Sequence, residues 1–342
     1  MFDNAYALII GIAHYRHINQ LGSTLADAQD IHDLLIDDNF CGYQAARVTL
    51  LQDQAADRDA ILKALDELAA RVNSESTVFI FLACHGGRLL SGPYAGQYIL
   101  PVDVDYESGE SIARTAISGE LFTAKLRNIK VRKLTVILDC CHAGGIGQPR
   151  QVGAPALKRG LSDDFHQQLA LGQGRVIMGS ASEDEAAWEM TGDRNGLFTK
   201  HLLAGLRGKA SGDDEFIRVF QLYDYVQRQV VKEKATQNPL FKAEARDNFP
   251  LALRLGGQRG IAAATTDAPR SKVELLQLLG RMQRAEFEEV LFRIDMPKRL
   301  RPSKDLPQGE RAVVLIDWAL DAAEVGIDGL RERVQQVVSS GR

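Results

Sequence analysis

Apolar runs of strand length recur along the chain at 5–12, 48–51, 77–83, 134–139, 175–179 and 250–255. Between them the apolar positions change period. Leu25, Ala28, Ile31 and Leu35 keep one helical face, as do Ile61, Leu65, Leu68 and Val72. Strands that alternate with amphipathic helices predict an α/β layer around a parallel sheet. The runs at 77–83 and 134–139 are apolar without alternation, so both of their faces are expected to be buried at the sheet centre. Two breaks interrupt the pattern. Residues 142–160 are rich in Gly, Pro, Gln and basic residues and predict a long functional loop. Residues 257–270 carry alanines and threonines after a Gly-Gly pair and read as a linker.

Beyond the linker the pattern is helical. Ser271 with Glu274 makes a capping-box signature, followed by stripes at Leu275, Leu279, Met282; Phe287, Val290, Leu291, Ile294; Leu315, Trp318, Ala319, Ala322; and Leu330, Val334, Val337. The expected organisation is an α/β domain over 1–256, the linker, and a small all-α domain over 271–342. Composition narrows the function classes. Among 342 residues, 41 Lys and Arg face 45 Asp and Glu, a net charge of -4, which leaves no footprint for nucleic acid or an anionic membrane. The opening residues lack a basic leader, and their apolar run is too short to span a bilayer. The four cysteines, at 41, 84, 140 and 141, do not make a disulfide framework, so a reducing cytoplasm is expected.

The chemistry gathers at two peptides, Phe-Leu-Ala-Cys-His-Gly at 81–86 and Asp-Cys-Cys-His-Ala-Gly at 139–144. Residues that directly follow central parallel strands meet in the crevice at the carboxyl edge of the sheet, which is where His85 and Cys141 are expected. A thiol with an ordinary pKa of about 8.5 needs a base or an imidazolium beside it to become a nucleophile. His85 can serve, and the backbone N–H groups of Gly86 and Cys141 are candidate oxyanion donors. The histidine precedes the cysteine by 56 residues (141 - 85), the order and spacing of caspase-type sites. Strand alternation sends Cys140 inward and leaves Cys141 at the turn. The bland alternatives are a buried structural cysteine and a satisfied core histidine. Zinc held by Cys84, His85, Cys140, Cys141 and His142 competes as well, but Cys-x-x-Cys spacing is missing and neighbouring strand residues point apart. No cofactor or metal is expected.

With these residues the chain resembles the caspase-like cysteine peptidases of the prokaryotic metacaspase and paracaspase group over 5–255. The family's Asp-Ser-Cys-His-Ser-Gly peptide corresponds to Asp139, Cys140, Cys141, His142, Ala143 and Gly144. Ile10-Gly11-Ile12, Leu25-Ala26-Asp27-Ala28, Leu100-Pro101-Val102-Asp103, Ser180-Ala181-Ser182 and Gly196-Leu197-Phe198-Thr199 are further landmarks. The resemblance implies a three-layer fold with a mostly parallel sheet, Cys141 as nucleophile and His85 as its partner. It also implies a substrate pocket lined by Asp27, Asp139, Ser180 and Ser182, whose two carboxylates would select Arg or Lys at the cleaved position of a protein substrate. A first-turn helix acid is the bland reading of Asp27.

Three departures from the family stand out. Ala83 and Thr24 replace a small polar residue and a cysteine. Gly96, Ser118 and Gly119 replace the acidic calcium ligands, so no such calcium site is expected. Arg150, Lys158 and Arg159 in the loop after Cys141 are candidate self-cleavage residues or ordinary solvated charges. More weakly, 271–338 resembles the effector-associated, death-fold-like domains of bacterial defence peptidases. That likeness implies a sensor or adaptor bound through 271–342, with a regulated cell-death role. A generic helical cap, and a catalytically inactive caspase-fold scaffold, are the rival expectations.

Overall fold

The structure, a computed structural model, describes residues 4–140, 146, 156–190, 192–210, 216–245 and 248–253. From the C-terminal part it describes 275–276, 278–279, 282, 284–294, 296–304, 306–321, 329–330, 333–334 and 337. The chain divides into two compact units, Met1–Gly257 and Gln258–Arg342.

The strands of the first unit are β1 (Ala5–Gly11), β2 (Val48–Gln52), β3 (Thr77–Ala83), β4 (Gly86–Leu89), β5 (Gly96–Ile99), β6 (Ile117–Ser118), β7 (Lys133–Asp139), β8 (Lys158–Arg159), β9 (Arg175–Gly179), β10 (Phe216–Arg218), β11 (Leu240–Ala243) and β12 (Pro250–Leu253). Its helices are α1 (Thr24–Ile36), α2 (Arg58–Arg71), α3 (Gly109–Thr115), α4 (Gly119–Asn128), α5 (Asp163–Ala170), α6 (Leu197–Ala204) and α7 (Val219–Glu233). Six strands form the central sheet in the order β11-β9-β7-β3-β1-β2, all parallel except β11. Side-chain alternation divides the core into two layers. Leu8, Ile10, Ile80, Leu82, Val136 and Leu138 pack with α2, α4 and α5 on one face. Ile9, Phe79, Phe81 and Ile137 pack with α1, α6 and α7 on the other. Since β3 and β7 are buried on both faces, they lack the polar alternation of a half-exposed strand.

Register fixes where the strands stop. Gln52 pairs with Gly11, Gly11 with Ala83 and Ala83 with Asp139, so four parallel strands end at one level, and β9 ends one residue short of it with Gly179 opposite Leu138. Over that edge lies an antiparallel sheet of order β6-β5-β4-β8.

Beyond the six expected runs the structure adds β4, β5, β6, β8, β10 and β11, and β8 falls inside the expected 142–160 loop. The antiparallel edge is β11, a four-residue run too short to register as a pattern. The run at 250–255 does supply β12, but it pairs with β10 in a separate ribbon. Proline at its start cannot donate to a ladder, which suits an edge.

In the second unit, α8 (Arg284–Arg293) and α9 (Gln308–Asp321) enclose a small core of their own. Leu275, Leu279, Met282, Phe287, Val290, Leu291, Ile294, Leu315, Ala319, Leu330, Val334 and Val337 are buried there, and Trp318 is half-buried. The capping-box residues Ser271 and Glu274, with Ala322, lie outside the described residues. Arg311 is buried in this core, paired with Glu288 at 2.5 Å and with its guanidinium 4.6 Å from the centre of the Phe287 ring.

Gly11 shows how tightly α1 is seated on the sheet. A Cβ there would lie 2.5 Å from the Ala28 Cβ and 2.8 Å from the Thr24 carbonyl oxygen. Gly11→Ala should therefore lift α1 and lower stability by about 1–3 kcal/mol in urea unfolding. An unchanged midpoint would show that the helix is not held by this contact.

Candidate active site

His85 lies between β3 and β4, two residues beyond Ala83, and is 2% exposed. Its Nε2 lies 2.7 Å from the Asn19 carbonyl oxygen, which can only accept, so Nε2 carries the hydrogen. Its backbone is fixed as well. The His85 N–H donates to the Tyr15 hydroxyl at 3.0 Å, and that hydroxyl donates to the Leu100 carbonyl at 2.9 Å. Leu100 N–H returns a bond to the His85 carbonyl at 3.0 Å, and the Tyr15 ring sits 5.0 Å from the imidazole. Tyr15 is buried, and desolvation pushes its hydroxyl far above the ordinary range, which keeps it neutral and able to donate. The Tyr15 loop is tied down in turn by Asp53, whose Oδ1 accepts from Ala13 N–H at 2.8 Å and His14 N–H at 3.0 Å.

Cys84 and Cys140 directly follow the adjacent strands β3 and β7, one residue before His85 and Cys141 in the sequence. Both are buried, with sulfurs 3.6 Å apart, in the core layer of Leu82 and Leu138. Gly86 is approached closely from this side: a Cβ there would lie 3.0 Å from the Cys140 Cβ. Glycine after the histidine is thus also a packing requirement. Cys141 itself lies outside the described residues.

The opposite face of β7 carries Asp139. It is buried, and its Oδ2 accepts from the Thr199 hydroxyl of α6 at 2.9 Å. Asp139 Oδ1 has no hydrogen-bond partner among the described residues. Asp27, on the first turn of α1, is fully buried and accepts Gly196 N–H at 3.1 Å. A Cβ at Gly196 would lie 3.2 Å from Ser23 Oγ, 3.3 Å from Asp27 Oδ2 and 3.8 Å from Asp139 Oδ2, so these groups converge on one spot. Burial, and then the charge of Asp139, push Asp27 up to about 8. Ser23, Glu189, Gly196 and Thr199 join the pocket without having been assigned a role from sequence. Thr199 and Gly196 belonged to a landmark peptide, whereas Ser23 and Glu189 had no pattern around them.

Ser180 is buried beside Asp139, with its hydroxyl unpartnered among the described residues. Ser182 is committed elsewhere, donating to the Asn238 carbonyl at 3.1 Å. The segment between β9 and α6 is propped from behind. Gln237 donates to the Ser180 carbonyl and accepts Trp188 N–H, each at 2.9 Å, and Asn238 binds Glu185. Lys158 and Arg159 form β8 against β4, and Lys158 pairs with Asp184 at 2.7 Å. Cleavage after either residue would require that ladder to open. Arg150 lies outside the described residues. Gly96, Ser118 and Gly119 line one cleft in which Glu120 is the carboxylate among the described lining residues.

A family model described as the caspase domain matches residues 4–250. The chain belongs to the caspase-domain family. Metacaspase-1 of Eremothecium gossypii is similar, 26% identical over 150 residues that make up 41% of this chain and 32% of that protein. The chain thus spans about a third of that relative's length. Among solved structures, protein GSU0716 from Geobacter sulfurreducens shares the fold, with a TM-score of 0.52 at 16% identity over 73% of this chain and 97% of that one. The caspase domain is that of a cysteine-type peptidase, with a mostly parallel α/β sheet and a further helical unit beyond it. Among the described residues, no helix is long and apolar enough to cross a membrane.

Two outcomes follow from this caspase-domain geometry. Tyr15→Phe leaves the His85 N–H without an acceptor and the Leu100 carbonyl without a donor; it should cost about 1–3 kcal/mol in urea unfolding. Asp27 binds its proton more tightly folded than unfolded, so its contribution to stability is full below pH 4 and lost as pH rises toward 8. Wild-type unfolding free energy should therefore decline relative to Asp27→Asn across that window; parallel pH curves would rule this out.

Proposed function

We propose that the caspase domain is an endopeptidase that cleaves proteins after Arg or Lys. Cys141 attacks the scissile carbonyl carbon, and the N–H groups of Gly86 and Cys141 receive the oxyanion. His85, with Nε2 held on Asn19, takes up the thiol proton and delivers it to the leaving amine. The observation that carries the specificity is the buried pair Asp27 and Asp139, with an Asp139 oxygen left unpartnered among the described residues. A guanidinium or ammonium supplies the missing donor and the missing positive charge together. Ser180, beside Asp139, and Ser182, whose hydroxyl donates to the Asn238 carbonyl, are the further polar groups proposed for the pocket.

The helical unit over 271–342 is proposed to recruit this peptidase to a sensor or adaptor, in a cytoplasmic defence or cell-death role. Its separate core supports that reading, since an appended unit with its own core can bind without disturbing the catalytic sheet. Arg150, Lys158 and Arg159 are proposed as self-cleavage positions on the same basic preference.

Short fluorogenic peptides with Arg, Lys or Asp at the cleaved position test the reading. Turnover is expected with Arg and Lys, none with Asp, and none from Cys141→Ala. Asp139→Asn should lower kcat/KM for the Arg peptide by about 100-fold, the scale of removing one partner of a buried charge pair. Preference for Asp, or equal turnover by Cys141→Ala, would sink the proposal.

A further inference from the structure

The Ser23 hydroxyl stands 2.8 Å from Asp27 Oδ2 and 3.0 Å from Glu189 Oε1. A serine has one hydroxyl hydrogen and cannot donate it to both carboxylates. Glu189 Oε1 is fixed as an acceptor, because it also receives Ser23 N–H at 2.9 Å and Gly22 N–H at 3.2 Å. With the serine hydrogen directed to Glu189, the short contact to Asp27 needs a hydrogen from Asp27.

Other groups facing Asp27 leave room for that proton. Gly196 N–H donates to it, the neighbouring Asn195 amide donates to Asp30 Oδ2 at 3.0 Å, and Asp139 faces it from β7 with the Thr199 hydroxyl on its Oδ2. The nearby cation, Arg194, is clamped on Asp30 at 2.8 Å. No cation hydrogen-bonds to Asp27 among the described residues.

We propose that, before substrate binds, the pocket stores one proton along Asp27, Ser23 and Glu189, and that a basic substrate side chain displaces it to solvent, making recognition a cation-for-proton exchange. This rests on the reading that the pocket takes Arg or Lys. The balance is simple: the Asp27 carboxylic acid and a cation become a carboxylate–cation pair and one proton taken up by buffer. No other bond is made or broken. Burial and Asp139, which push Asp27 up to about 8, favour the acid form at neutral pH. Glu189, on the exposed side of Ser23, offers the proton its way out.

Benzamidine, a cation with no cleavable bond, tests this on the full-length wild-type chain. Calorimetric titrations in two buffers of different ionisation heat count the protons released. Close to one proton per ligand is expected at about pH 6.5 and few at about pH 9, with affinity rising by about tenfold per pH unit below 8. Asp27→Asn should bind more weakly and release none. Binding of benzamidine with no proton release at about pH 6.5 overturns the exchange and leaves the basic specificity standing. No binding at millimolar benzamidine overturns the specificity reading, and the exchange with it.

Discussion

The active edge depends on a register. Ala83 pairs with Asp139 in parallel ladders that also align Gly11, so strands distant in sequence end at one height. Because side chains alternate along a strand, a slip of one residue would reverse every assignment. Asp139 would turn toward α2, α4 and α5, and Cys140 toward α1 and α6. Two further contacts depend on this level: α1 sits on Gly11, which brings Asp27 to Asp139, and Gly86 sits on Cys140, which brings the histidine peptide against the cysteine peptide.

The pocket concentrates cost at that edge. Two carboxylates are withdrawn from water with no cation hydrogen-bonded to either among the described residues, an arrangement that burial alone would disfavour. Fixed neutral donors offset part of it, namely the Thr199 hydroxyl and the Gly196 N–H. Protonation of Asp27 offsets more. What prevents the walls from collapsing is the segment between β9 and α6, held by Gln237 and Asn238 from behind and by the Arg194–Asp30 pair in front. On the proposed specificity, a cation's charge and donors would complete this pocket.

At the histidine, a backbone carbonyl fixes the tautomer, while Tyr15 and Leu100 fix the main chain. These are hydrogen bonds between groups with no charge of their own. They orient the ring through neutral donors and acceptors.

Much of the sheet was legible from the chain. Strands buried on both faces must be apolar throughout, so β3 and β7 announced themselves, and the residues just beyond them marked the candidate site. The inward side chain of Cys140 followed from period two. The weak edge strand β11 and the destination of β12 were not legible, since four residues carry little periodicity and pairing partners are set by the whole sheet. Tyr15, Asn19, Ser23 and Glu189 were equally silent. They act through a single hydroxyl, a carbonyl or a carboxylate brought close by loops, and loops have no hydrophobic period to read. By itself the sequence determined which chemical groups stand at the ends of the central strands, because burial and alternation are local properties of the chain. Only the tertiary structure decided which donors and carboxylates surround them, because those contacts join residues as far apart as Ser23 and Glu189 through the packing of α1 against the sheet.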